Sequence, residues 1–222
     1  CALPICGVLC AAVLLMLAQR DDVGPVGSSL SFGLLSSLTG LVVGLLWLEW
    51  GPQRGTLWVW LPLALPALPL VTGQYAIALH LGIDGHYAAV LWSHLLWVLP
   101  WMLLVLQPAW RRIDPRLILT ARTLGWRRTK IFLLLKCPLL VRPALLAFAT
   151  GFSVSMAQYM PTLWLGAGRF ATLTTETVAL SSGGSIPILA NRALGLLLVT
   201  GTVFGLAALL SRLVGRYRQG LR

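Results

Sequence analysis

Side chains that could do chemistry are few in this chain, and they gather in three places. The first is the segment 114–138, DPRLILTARTLGWRRTKIFLLLKCP, which carries Arg116, Arg122, Arg127, Arg128, Lys130 and Lys136 just after Arg111 and Arg112. Eight of the 17 Lys and Arg residues therefore fall in one polar interruption between long apolar runs. The second is the set Ser155, Gln158, Tyr159 and Thr162, whose spacing of i, i+3, i+4 and i+7 puts them on one face of a helix. A polar face set in apolar sequence has to look into protein or into water. The third is His94, six residues before Pro100 in an apolar run. A histidine there is either held by an interhelical hydrogen bond or touched by a passing solute.

Other chemistries find little support. His80, Asp84 and His86 could be drawn as a metal site, but Gly82 and Gly85 put them in a turn without fixed ligand geometry, and no metal is expected. Cys1, Cys6, Cys10 and Cys137 lack ligand spacing and are expected as apolar thiols. No GxxxxGK[ST] phosphate loop occurs, the only lysines are Lys130 and Lys136, and neither a carboxylate pair nor a Ser/His/Asp spacing stands out. The expectation is a protein that is not an enzyme and uses no cofactor. Asp21, Asp22, Asp84, Asp114 and Glu176 fall outside the apolar runs, and Glu49 sits at an edge, where a surface pair with Arg54 is the plain reading. That distribution argues against a proton- or sodium-coupled carrier, which needs a carboxylate inside a span.

The elements that must position these residues are membrane helices. Of 222 residues, 58% are hydrophobic and 10% charged, and the mean hydropathy of +0.84 is not that of a soluble domain. Apolar runs long enough to cross a hydrocarbon core of roughly 30 Å recur. They predict an all-α membrane protein of about six transmembrane helices, at 3–17, 30–48, 57–79, 87–106, 139–163 and 189–213. Residues 1–29 are expected as an accessory helix and outer loop, and 30–222 as the core, with a cytoplasmic loop at about 111–138. Small residues between Ser31 and Gly40, and Gly195, Gly201 and Gly205, suit close helix packing. Pro62, Pro66 and Pro69 should bend the third span. Gln74, Tyr75, His80, Asp84 and His86 are expected towards the outer surface, with His80, Asp84 and His86 solvated.

Cationic residues stay on the cytoplasmic side of a membrane. With 114–138 inside, Arg54 and the tail Arg212, Arg216, Arg218 and Arg222 are inside too, and Arg20, Arg169 and Arg192 are left outside. Both termini are then cytoplasmic. The net charge of +11 borders membrane spans instead of forming a stripe with stacking aromatics, so no nucleic acid is expected as a partner. Cys1 is not an initiator methionine, so the chain is expected to be processed or cut from a longer polypeptide.

Within 114–138, Asp114 can cap a helix with Pro115 at its first position, where the missing amide hydrogen is not needed. Leu117, Thr120, Ala121 and Leu124 give it a small, smooth face, and Gly125 can close it in the left-handed conformation. A second helix should run from about Trp126 to Pro138. This helix, glycine, helix segment resembles the EAA coupling loop of ABC importer inner-membrane permeases: Glu-Ala-Ala, two residues, Leu-Gly, then Leu-Pro. The corresponding residues are Leu119, Thr120, Ala121, Arg122, Thr123, Leu124, Gly125 and later Cys137, Pro138, with Leu119 in place of the glutamate and Thr120 in place of the first alanine. His94 with Pro100, and Gln158-Tyr159 with Thr162, resemble further family positions, with Gln158 where relatives have glutamate.

The resemblance covers most of the chain and is nearest the thiamine, ferric iron and polyamine permeases. It implies the type I importer (MetI-like) bundle in a bacterial inner membrane. It also implies an ATPase dimer docked at Leu119, Thr120, Ala121, Arg122, Leu124 and Gly125, and a path past His94, Ser155, Gln158, Tyr159 and Thr162. The implied partners are that cytoplasmic ATPase dimer, a second permease half (an identical copy or part of one longer chain), a periplasmic solute-binding protein and the lipid bilayer. In relatives the segment after Gly168 is an outer gate; a plain surface helix, capped by Thr172 or Thr174 with Glu176 in its first turn, is the other reading. An ATP-independent secondary carrier or channel is the alternative function.

Overall fold

The computed structural model describes residues 24–52, 57–183 and 186–219, and side chains over 24–52, 59–183 and 186–214. The span expected at 3–17, Cys1, Cys6, Cys10, Arg20, Asp21, Asp22, Arg54 and Arg222 lie outside that description, as do the side chains of Arg216 and Arg218. Among the described residues every regular element is helical. In chain order they are α1 (Pro25–Trp50), α2 (Leu57–Ala64), α3 (Ala67–Leu81), α4 (Tyr87–Arg111), α5 (Pro115–Thr123), α6 (Arg128–Ile131), a π-helical stretch (Phe132–Lys136), α7 (Cys137–Leu139), α8 (Val141–Met156), α9 (Met160–Leu165), α10 (Leu173–Ser181) and α11 (Ile186–Gln219).

Crossing a bilayer takes about 20 apolar residues at 1.5 Å each. Among the described residues α1, α4 and α11 meet that by length and composition, and a fourth span is added if the bent pair Arg128–Leu139 and Val141–Met156, which turns by 76°, counts as one. The expected third span is two helices. Pro66 lacks the amide hydrogen that would continue α2 and pushes Leu65 out of the helical region, so α3 restarts behind it, with Pro66 at φ −60°, ψ 143°. α2 lies beside Leu103 and Gln107, while Gln74 of α3 bonds Ser93, so the broken pair runs the length of α4 in the opposite direction.

The centre of the bundle is α1, α4 and α8. α1 and α4 run parallel with α8 antiparallel to both, as Phe32 meets His94 at one level and Gly40 and Gly151 both meet Met102 at the next. Small residues allow this, as the sequence led us to expect of 31–40. A Cβ on Gly33 would stand 2.6 Å from Phe152 Cε2, too close for any side chain. Ser36 and Ser37 are buried without cost because their hydroxyls donate back to Phe32 O at 2.6 Å and Gly33 O at 2.5 Å.

α11 packs on this centre through Leu196, Val199 and Val203 against Phe152, Met156 and Leu173. Among the described residues its glycines do not seat it against the other spans: a Cβ on Gly195, Gly201 or Gly205 would meet none of their atoms within 4 Å. The seat is made by branched side chains, and the glycines lie on the open side.

Candidate functional site

Two polar constructions stand out, one inside the bundle and one at its elbow end. Inside, α8 stops at Met156 and α9 begins at Met160. The single helical face expected for Ser155, Gln158, Tyr159 and Thr162 is therefore not formed. Pro161 has no amide hydrogen to give to Ala157 and its ring crowds that carbonyl, which favours a break here, although α4 runs on through Pro100 and Pro108. The break nevertheless brings three of the four together. Ser155 Oγ lies 2.7 Å from His94 Nδ1, and Thr162 Oγ1 lies 2.9 Å from His94 Nε2. Gln158 donates from Nε2 to His94 O at 3.3 Å, and Thr162 donates to Gln158 O at 2.9 Å. Tyr159 is half-buried at the N-cap position of α9 and stays outside this knot.

Donor counting assigns the ring. Thr162 gives its one hydroxyl hydrogen to Gln158 O, so it must accept from His94, which puts the imidazole hydrogen on Nε2 and leaves Nδ1 to accept from Ser155. Phe32 covers the ring, with centroids 5.5 Å apart, and is itself stacked on Tyr87 at 4.3 Å. The void between Ser29, Phe32, His94, Gln158 and Thr172 holds about 10 Å³, close to the least that admits one water. Gln158 Oε1 is buried there with no hydrogen-bond partner among the described residues.

Two expectations near this knot change and one stands. Gln74 is not at the surface: it is 4% exposed and its Oε1 accepts from Ser93 Oγ at 2.7 Å. Tyr75 is half-buried against Trp164. Thr172 caps α10 as expected, with its hydroxyl accepting from Thr175 N at 3.2 Å, and Leu173 N donates to Ser29 Oγ at 2.8 Å, tying that helix to α1.

At the other end, Asp114 Oδ1 accepts from Arg116 N at 2.9 Å with Pro115 in the first position, and Gly125 takes φ +76° to end α5. Every residue of α5 except Ile118 and Ala121 is exposed, including Leu119 at 64%, and Leu124 just after it is 69% exposed. Ala121 is 7% exposed, so the small face expected at Thr120 and Ala121 is divided. Thr120 lies open with Leu117, Leu124 and Arg122, while Ala121 is buried, and its carbonyl accepts from Trp126 N at 3.1 Å as the turn closes.

The elbow is fastened to the bundle at Glu49. Arg128 Nε reaches Glu49 Oε1 at 2.7 Å, Lys136 Nζ reaches Oε2 at 2.5 Å, and Arg128 Nη2 also donates to Glu49 O. The plain surface pair expected for Glu49 is not what the structure has. Its side chain is 4% exposed and the partners lie 79 and 87 residues away. A cleft of about 300 Å³ opens beside this point, lined by Trp47, Trp60, Gln107, Trp110 and Arg111 among others.

No family model matches the chain. Over 222 residues it is 61% identical to the inner membrane ABC transporter permease protein YnjC of Escherichia coli strain K12, a match that covers 99% of this chain. The chain is similar to an inner membrane ABC transporter permease. It spans 43% of that relative's length. The apolar helices α1, α4 and α11 fit a multi-pass inner-membrane protein of that kind. Glu49 and Gln74 are what sequence reasoning missed, and the signal was available: each is a polar residue inside or at the edge of an apolar run, where an unpaired group is costly.

Proposed function

We propose that the chain is a permease subunit, or half of one, of a type I ATP-binding cassette importer, and that it couples to a separate cytoplasmic ATPase dimer through the elbow 114–138. The observation that carries this reading is α5 itself, a capped, glycine-closed helix that holds Leu117, Leu119 and Leu124 out to solvent among arginines. Exposed leucines on a short cationic helix suit insertion into a groove of a partner. The likeness to a permease supplies the kind of partner. Closure of two ATPases on ATP would move the attached helices as rigid bodies and switch the path from inward to outward access.

The path passes the His94 knot. A void of about 10 Å³ supports a closed conformation, and the unpartnered Gln158 Oε1 offers an acceptor to a solute once the knot opens. One copy of such a bundle does not line both sides of a pore, so a second half is needed, an identical copy or part of one longer chain. A periplasmic solute-binding protein would deliver the cargo. By residue resemblance the subgroup is that of thiamine, ferric iron and polyamine permeases.

Co-purification from native membranes tests the reading. An ATPase is expected to follow the tagged chain and to be lost when Gly125→Val distorts the elbow. Retention of solute transport with no ATPase attached would instead make the protein an ATP-independent carrier.

A further inference from the structure

The cations that hold Glu49 sit in a helix that does not wind evenly. Arg128, Phe132 and Lys136 are each four residues apart. In an uninterrupted α-helix, positions i and i+8 lie about 80° apart around the axis. Arg128 and Lys136 would then leave the helix in different directions, which makes it harder for both to close on one carboxylate. The π-helical stretch Phe132–Lys136 removes the discrepancy, because each residue in a wider turn rotates less and takes back most of that drift. Its cause is visible in the sequence. Pro138 has no amide hydrogen for the carbonyl of Leu134, and the Cys137 N–H instead reaches Phe132 O, five residues back.

The aromatic surroundings are arranged on the same face. Phe132 stands edge-on to Trp50, with centroids 5.0 Å apart, and 6.4 Å from Trp110. Arg128 lies 5.6 Å from the Trp50 ring centroid and Lys136 4.5 Å from that of Trp110. Trp50 ends α1, Trp110 lies in the last turn of α4, and Phe132 fills the space between them. Glu49 is 4% exposed and Lys136 12%, with Arg128 the open member at 56%, so parting the carboxylate from these cations leaves Glu49 and Lys136 unpaired where little water reaches them.

We infer that Glu49 is the joint that makes the elbow and α1 one rigid body, so that displacement of α5 by its partner is delivered to the bundle through α1. Glu49 is a positioning residue: it touches neither cargo nor nucleotide. The inference rests on the coupling reading above and adds the route by which the movement travels. The π-turn sets the register of the two cations, and the tryptophans hold them at the end of the bundle.

The test uses the intact complex with its own ATPase in lipid nanodiscs, in a background with native cysteines replaced by serine. Nitroxides go on Thr123→Cys at the elbow and Leu46→Cys on the exposed side of α1, and the distance between them is measured by pulsed EPR with and without MgATP and vanadate. With Glu49 present, a single narrow distance is expected that shifts by less than about 2 Å on nucleotide trapping, the scale of small helix adjustments. Glu49→Gln should broaden the distribution and let nucleotide shift it while ATP hydrolysis continues, and Glu49→Asp, which keeps the charge, should broaden it less. An unchanged distribution in Glu49→Gln, or a large nucleotide-dependent shift with Glu49 intact, overturns the joint and leaves the coupling reading standing. Should Glu49→Gln fail to assemble, Arg128→Ala, which removes one cation and the contact to Glu49 O, gives the same readout. If no ATPase follows the chain through purification, the coupling reading falls and the joint with it.

Discussion

At the scale of single residues, the two polar constructions obey the same rule by different means. A neutral imidazole has one donor and one acceptor, and at His94 both are used, by side chains from two elements that the break at Ala157 has brought around it. Removing either hydroxyl therefore strands a ring nitrogen that is fully buried. Thr162→Val takes away the acceptor of Nε2–H and is expected to cost about 1 kcal/mol, the upper part of the range for interhelical hydrogen bonds in membranes. Thr162→Ser, which keeps the hydroxyl, should cost much less. Unfolding of the purified protein in mixed micelles measures the difference, and equal midpoints for the two variants would show that the bond contributes nothing.

The elements show how close packing is divided between residues that can yield and residues that cannot. Gly33 faces the rigid ring of Phe152, whereas Gly40 faces the sulfur of Met102, equally buried but unbranched, with Val98 Cγ1 at 3.1 Å beside it. Gly33→Ala should destabilise by about 1–3 kcal/mol as an overpacked contact, and Gly40→Ala by less than Gly33→Ala, because a thioether yields more easily than a ring. Gly201→Ala, with open space around it, should be neutral or gain up to about 1 kcal/mol of helix propensity in the isolated chain. The same micelle unfolding experiment ranks the three.

What was legible in the sequence follows this division between local and distant causes. Asp114, Pro115, Gly125 and Thr172 do what their types dictate, because a cap or a left-handed turn depends on the few residues around it. The face expected for Ser155 to Thr162 satisfied helical spacing on paper, and only Pro161 marked the break. Glu49 looked like a partner for nearby Arg54 because ion pairs across 79 residues leave no periodic trace. The open glycines of α11 looked like packing residues because composition does not say which face a helix turns inward.

For the whole molecule, the two ends of the bundle differ in charge. α1 and α4 finish, α8 starts and α11 approaches its end on the side that carries Arg111, Arg112, Arg116, Arg122, Arg127, Arg128, Lys130, Lys136, Arg142 and Arg212. The opposite end has Arg169 and Arg192, and Arg192 is partly neutralised by Glu176 at 3.5 Å. Translocation disfavours Lys and Arg in short flanking segments, so the cationic end is expected in the cytoplasm, and the elbow with it. Single cysteines at Thr123 in the elbow and Ser182 beyond α10, both exposed, turn this into a measurement with a membrane-impermeant maleimide on spheroplasts. Ser182→Cys should react at once and Thr123→Cys only after the membrane is opened. The reverse pattern would put α5 where no cytoplasmic ATPase could reach it, and its exposed leucines would then need a partner on the other side of the membrane.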